Sequence, residues 1–329
     1  MAKVFAILAL ALAFVLAQGL IGASFLSSPL GSAQAASNKG PTLRVSGSST
    51  LLPIIQRAAE VYLVTRPDLL LTISGTGTGE GVRSLIDGNI DIADASRDLK
   101  PEESQRAKAR GLNLTRYVVA LDCLAVIVHP DNPVTNLTMA QLKGIYDGSI
   151  KNWSEVGGAD MVIIPVNRDS SSGTFEMWVE KVLHGERHRR DVQVQSSSGG
   201  VAYAVSGNRH AVGYVSLGFL SESVKSLTVD GVAPSKESAL SGRYPIIREL
   251  YMFVSGDRSK EAESFISFVL SPSGAKVVEE MGFLPPEEIS SALAAELGQG
   301  NAAGDLGSGP DSGAAKEADG ASSGAGAAQ

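Results

Sequence analysis

The chain has 329 residues, 43% hydrophobic and 19% charged, a balance that excludes a disordered or wholly membrane-embedded protein and allows one large or two medium domains. A formal net charge of −7 argues against a nucleic-acid partner, and the single cysteine, Cys123, excludes an intramolecular disulfide. Seven acids against one base beyond Pro286 put about −6 of that charge in the C-terminal tail, so the middle of the chain is near neutral and an anion site in it must be built locally.

In chain order, Lys3, an apolar run from Val4 to Leu16 and a small-residue stretch ending Ala33-Gln34-Ala35 predict an export signal over residues 1–35, cleaved after Ala35. An uncleaved membrane anchor over Val4 to Leu30 is the alternative. No cysteine near the cleavage region offers a lipid anchor, so the expected product is soluble and periplasmic. From Thr42 onward, short apolar runs alternate with helical patterns. A strand at Leu43 to Val45 precedes a helix at Leu51 to Val64; a strand at Leu69 to Ile73 precedes a helix at Val82 to Ile86; Ile90 to Ala93 is a third strand. A second round follows, with a strand at Val118 to Val128, a helix at Thr138 to Tyr146, a strand at Val162 to Val166 and a helix at Phe175 to Leu183. After Tyr244-Pro245, a strand at Ile246 to Val254 and a helix at Ser259 to Leu270 return toward the first round. The expected fold is α/β with two lobes: a discontinuous lobe 1 over 42–121 and 251–286, and a lobe 2 over 122–250. Residues 287–329, rich in Ala, Gly, Ser and acids, are expected to be a disordered tail.

Three segments share one design, a strand followed by a loop of Ser, Thr and Gly and then a helix start: Val45-Ser46-Gly47-Ser48-Ser49-Thr50, Ser74-Gly75-Thr76-Gly77-Thr78-Gly79-Glu80-Gly81, and Val166-Asn167-Arg168-Asp169-Ser170-Ser171-Ser172-Gly173-Thr174. Helix N-termini present unpaired N–H groups and the positive end of the helix dipole, and loop hydroxyls add donors. Three such termini facing one cleft would hold an oxyanion with little net charge. The plain alternative is that these residues only cap helices. Arg97, in Ala95-Ser96-Arg97-Asp98, and Arg168 strengthen the anion reading, because a guanidinium donates paired hydrogen bonds to an oxyanion. Glycines at 75, 77, 79 and 81 do not match a dinucleotide fingerprint, and no phosphate-loop motif is present, so nucleotide binding is disfavoured.

These loops, with Ile90-Asp91-Ile92-Ala93, Ser96-Arg97, Ala120-Leu121-Asp122, Asp131-Asn132-Pro133, Asn152-Trp153 and Ala211-Val212-Gly213-Tyr214-Val215, resemble the periplasmic phosphate-binding proteins of phosphate ABC transporters over roughly residues 42 to 285. The resemblance implies a type II two-lobe clamshell that binds inorganic phosphate between its lobes, without a cofactor, as a monomer, and delivers it to an inner-membrane ABC permease. Carried over by residue, Ser49, Thr50, the backbone at Leu51 and Thr78 would donate from the first lobe, and Arg168, Ser172, Gly173 and Thr174 from the second. Where some members place an aspartate after the serine, this chain has Arg97 after Ser96, so the acceptor of the phosphate proton stays open. Asp122, inside the apolar run Val118 to Val128, is the first choice, with Asp94 and Asp98 as alternatives; a structural role at the lobe crossing is the other reading of Asp122.

An enzyme using a nucleophile among Ser170 to Ser172 is disfavoured, because four scattered histidines supply no matching base and no nucleophile-elbow motif exists. A sensor or adhesin on the same clamshell is the alternative function. His184 and His188 read as a solvated basic helix end rather than a metal pair, Trp153 and Trp178 as packing residues, and Cys123 as a small buried hydrophobe.

Overall fold

The computed structural model describes residues 40–256, 259–286 and 288; the expected export signal and nearly all of the expected tail lie outside the described residues. In chain order the first half contains β1 (Thr42–Gly47), α1 (Leu52–Leu63), β2 (Leu70–Ser74), α2 (Thr78–Ile86), β3 (Ile92–Ala95) and α3 (Pro101–Ala109). The long strand β4 (Leu114–Val128) leads to β5 (Asn136–Leu137), α4 (Met139–Asp147), β6 (Ile164–Arg168), α5 (Gly173–Lys181), β7 (Gln193–Gln195), α6 (Ser198–Ser206) and β8 (Ala211–Ser216). Short strands β9 (Lys225–Ser226) and β10 (Thr228–Val229) and helix α7 (Lys236–Leu240) precede β11 (Ile247–Ser255), α8 (Lys260–Val269) and α9 (Pro272–Glu280).

The main sheet runs β2-β1-β3-β11-β4-β8-β6-β7, with β9 attached to β4. At one end β1 pairs in parallel with β2 and β3; at the other, β6 pairs in parallel with β7 and β8. Parallel triplets covered by helices are what short β-branched runs separated by helical patterns produce. The antiparallel pair β4 and β11 joins the two ends. Residues 114–123 of β4 face β11 and residues 124–128 face β8, so one strand passes from the first half into the second.

Each half has its own core. In the first, α1 begins with Pro53 in its opening turn, where the missing N–H costs nothing, and buries Ile54, Ile55, Ala58, Ala59 and Tyr62 on one face. They pack with Leu43, Val45, Leu250 and Met252, and with Phe265, Ile266, Val277 and Val278 from the C-terminal helices, which therefore lie on the first half. In the second, Trp178 stacks on Tyr214 with ring centroids 4.0 Å apart, and Trp153, Leu142, Ile145 and Val126 complete the cluster. Burying each such side chain contributes about 1.5–3 kcal/mol. Both tryptophans are core residues, and Cys123 is buried with its thiol pushed up to about 12 by burial.

Most predicted elements appear within two residues of their expected bounds. The third strand is shifted, Ile92–Ala95 rather than Ile90 to Ala93, because the buried residue Asp94 breaks the apolar pattern that marks a strand. His184 and His188 fall beyond the end of α5 at Lys181, so their four-residue spacing is not a helical one.

Candidate functional site

The hydroxyl-rich loops meet where β4 and β11 link the two halves. Ser48, Ser49 and Thr50 close the turn from β1 into α1, with Thr50 N donating to Ser48 Oγ at 3.1 Å and Ser48 N donating to the Asp94 carbonyl at 2.9 Å. Thr78 opens α2; its Oγ1 accepts from Ser96 N at 3.0 Å, while the Ser96 hydroxyl bonds to that of Ser48. Gly77 before it has φ +101°, and a Cβ there would come within 2.4 Å of Ser171 Oγ in the facing loop, so only glycine fits. Ser172 caps α5, accepting from Phe175 N at 3.3 Å.

Across the junction, Thr50 Oγ1 lies 3.1 Å from Thr174 Oγ1 and 3.3 Å from Ser198 Oγ, and Ser198 N donates to Ser49 Oγ at 3.3 Å. Ser198 comes from a fourth loop, Ser196-Ser197-Ser198-Gly199-Gly200, which follows β7 and opens α6 with Ser197 as its cap. It repeats the strand, hydroxyl loop and helix pattern of the other three; its short strand of alternating Gln and Val is the reason it escapes a search led by apolar runs. Ser49, Thr50, Leu51, Thr78, Ser96, Ser172, Thr174 and Ser198 are all buried. The burial of the seven hydroxyls among them is offset by hydrogen bonds to one another and to backbone and guanidinium N–H groups.

Three arginines lie within or beside this cluster, and they differ in compensation. Arg168, at the end of β6, donates Nε to the Gln195 carbonyl at 3.2 Å, Nη1 to Ser198 Oγ at 3.2 Å and Nη2 to the Ser196 carbonyl at 3.1 Å. Its one carboxylate neighbour, Asp169, is 3.4 Å away, and burial holds its pKa below the usual arginine value. Arg97 is different. Its Nη1 and Nη2 each donate to the Glu103 carboxylate at 2.8 Å, and Nε lies 2.6 Å from Glu176 Oε2 on the facing helix α5. Burial pulls its pKa down, but Glu103 and Glu176 outweigh that and leave it raised. In the structure Arg97 belongs to an ion-pair network that includes Lys100 Nζ, 2.9 Å from Glu176, so an added anion would compete with two carboxylates for its guanidinium.

Arg248, on β11, was not singled out from the sequence because it stands beside Glu249 in a strand otherwise read for its apolar residues. It is the direct register partner of Asp122 on β4. Its Nε donates to Asp122 Oδ2 at 3.0 Å, Nη1 to Thr174 Oγ1 at 2.9 Å, and Nη2 to Ser216 Oγ at 2.9 Å and, at 3.5 Å, to Thr50 Oγ1. Asp122 is fully buried, and its oxygens also accept from the Ser216 hydroxyl at 2.7 Å and from Leu217 N at 3.3 Å. Burial pushes its carboxyl up against the opposing pull of Arg248, Ser216 and Leu217. Of the alternatives, Asp98 is on the surface with Arg116, and Asp94 lies in β3 beneath the first loop with Oδ1 lacking a hydrogen-bond partner.

Residues 32–273 match the family model for the PBP superfamily domain. The chain is 31% identical over 246 residues to the phosphate-binding protein PstS of Bacillus subtilis, covering 74% of this chain and 80% of the relative. It is 34% identical over 252 residues to the PstS of Borreliella burgdorferi, covering 73% and 88%. A crystal structure from Clostridium perfringens, described as a putative phosphate ABC transporter substrate-binding protein with bound phosphate, superposes with a TM-score of 0.70 at 33% identity, covering 74% of this chain and 99% of that one. The two-lobe α/β architecture, the repeated strand, hydroxyl loop and helix and these matches agree, and the chain belongs to the PBP superfamily, within the family of the PstS phosphate-binding proteins.

Proposed function

We propose that this protein binds inorganic phosphate between its two halves and delivers it to an ABC permease for import, acting as a receptor and not as an enzyme. The observation that carries this reading is the meeting of helix-opening hydroxyls from both halves, Thr50 with Thr174 and Ser198, beside the under-compensated guanidinium of Arg168, which donates to Ser198. Helix N-termini and hydroxyls donate without adding charge, which suits an anion in a near-neutral protein. In this reading Ser49, Thr50 and the N–H of Leu51 donate from the first half together with Thr78. Arg168, Ser172, Thr174 and the N–H of Gly173 donate from the second, with Ser198 added to them. Ser96 orients Thr78 from behind. The halves corresponding to 42–121 with 251–286 and to 122–250 would close on the anion, so that phosphate bridges both and stabilises the closed form.

The relatives are named as phosphate-binding proteins, which supports the ligand, and the Clostridium perfringens neighbour's description as a putative phosphate ABC transporter substrate-binding protein supports the permease as partner; export to the periplasm through residues 1–35 rests on the sequence pattern. No cofactor or metal enters this reading; among the described residues no group of three or more His, Cys, Asp or Glu is arranged to hold a metal ion. The test is isothermal titration of the anion-free protein with phosphate, then with sulfate in excess as competitor. One tight site for phosphate is expected. An absence of heat with protein shown to be free of co-purified anion refutes the reading and favours a sensor of another ligand.

A further inference from the structure

Thr50 and Thr174 are the two hydroxyls that meet across the junction, one from each half, and a single guanidinium reaches both. A hydroxyl carries one proton; when its oxygen already accepts an N–H from a cation, that proton is left to donate, here to the facing threonine, to Ser198 or to an incoming oxyanion. Arg248 is itself fixed. It sits opposite Asp122 in the β4 and β11 register, and the carboxylate and Ser216 take up the N–H groups on its inner edge. The Asp122 oxygens face Arg248, Ser216 and Leu217, which leaves the carboxylate committed to the guanidinium.

Resting on the phosphate reading above, we propose that Arg248 is a positioning residue of the anion site: anchored by its counter-ion Asp122, it sets the Thr50 and Thr174 hydroxyls as donors toward the bound oxyanion. Asp122 thereby serves the arginine rather than the proton of the ligand. The strand pair that joins the two halves also carries the residue that aligns one donor from each, so closure and donor alignment share one structural element.

The experiment is a thermodynamic cycle on phosphate affinity, read by titration calorimetry. Removing only one member of a buried ion pair strands the other charge, so the first variant replaces both, Asp122→Leu with Arg248→Met, a change that buried pairs often tolerate in stability. The second variant is Thr174→Val, and the third combines all three substitutions. Arg248→Lys is added because it keeps the charge but one ammonium cannot span Asp122 and both threonines. The pair variant and Arg248→Lys are each expected to weaken phosphate binding about tenfold or more, the scale of a hydrogen bond to a charged group. In the Thr174→Val background the pair replacement is expected to cost clearly less than in the wild type, because one of the two hydroxyls it acts through, the one at 2.9 Å, is gone. Wild-type affinity in the pair variant or in Arg248→Lys, or losses that simply multiply in the combined variant, would overturn the positioning role while leaving phosphate binding by the wild type intact. A wild type that does not bind phosphate overturns the functional reading itself.

Discussion

Asp94 offers a prediction whose size follows from its position. The residue lies on β3 between Gly47 of β1 and Met252 of β11, and alternation along the strand places it on the face of Ile92, which packs into the first core with Leu43, Val45 and Leu250. Its side chain is 1% exposed, its Oδ1 has no hydrogen-bond partner, and burial alone pushes the carboxyl up to about 8. In the unfolded chain an aspartate titrates near 4. Between about pH 4 and pH 8 the native protein therefore holds a proton that the unfolded chain has released. Stability conferred by this group is complete at the acid end and is lost as pH rises through the native pKa. The slope is about 1.4 kcal/mol per pH unit, so some 4 kcal/mol disappears between pH 5 and pH 8, a large part of the 5–15 kcal/mol typical of a folded domain.

Asp94→Asn removes the titration and keeps the shape. Urea unfolding of both proteins at half-unit steps from pH 5 to pH 8.5 isolates the effect, because every other titrating group cancels in the difference. The stability of Asp94→Asn relative to the wild type is expected to rise by about 4 kcal/mol across that range. A difference that stays flat with pH refutes the argument, since it means the carboxyl is ionised in the native protein and has found a partner or water. The consequence reaches the proposed site, because the backbone of Asp94 accepts from Ser48 N at the start of the first hydroxyl loop.

Arg168→Ala is expected to weaken phosphate binding about a hundredfold, from the loss of two charge-assisted hydrogen bonds at about 1.5–3 kcal/mol each less what water recovers, as titration calorimetry will read. Unchanged affinity would remove Arg168 from the site. Gly173→Ala places a Cβ within 2.6 Å of Thr78 Oγ1 and 3.1 Å of Arg97 Cγ in the facing half. It is expected to hold the halves apart, lowering affinity severely while shifting the melting temperature little; a loss of stability equal to the loss of binding would contradict this. Glu176→Gln breaks the ion pairs that α5 makes with Arg97 and Lys100 across the junction. A roughly fivefold faster phosphate release, measured by stopped flow, is expected from a partly exposed pair worth about 1 kcal/mol. Tighter binding would mean that Arg97, once freed, serves as a ligand after all.

The three hydroxyl loops were legible in the sequence because each stands between an apolar run and a helix, and helix-opening Ser, Thr and Gly have a local physical reason to be there. The fourth, around Ser198, has the same composition, but its strand is three residues long and mostly polar, so nothing marks it as a strand end. Arg248 is hidden for the opposite reason. Its meaning depends on being opposite Asp122, and the register of two strands 126 residues apart is set by the packing of both halves, which no local pattern encodes.

Charge compensation explains why arginines alike in a sequence differ in the protein. Arg97 and Arg248 are each buried beside carboxylates at 2.6–3.0 Å, which neutralises them and binds elements together: α5 to the loop after β3 in one case, β4 to β11 in the other. Arg168 has carbonyls and a hydroxyl as its near partners and a carboxylate only at 3.4 Å. A guanidinium buried with its charge so weakly answered is unfavourable, and in the proposed reading an oxyanion held among the neighbouring hydroxyls would supply the missing charge. The affinity of such a site comes from relieving that imbalance, so a carboxylate introduced within reach of Arg168, as in Ser198→Asp, should occupy the guanidinium in place of ligand. That variant is expected to be more stable than the wild type in the absence of anion and to lose phosphate binding in calorimetry. A Ser198→Asp protein that still binds phosphate tightly would show that the donors of the loops, and not the charge of Arg168, carry the affinity.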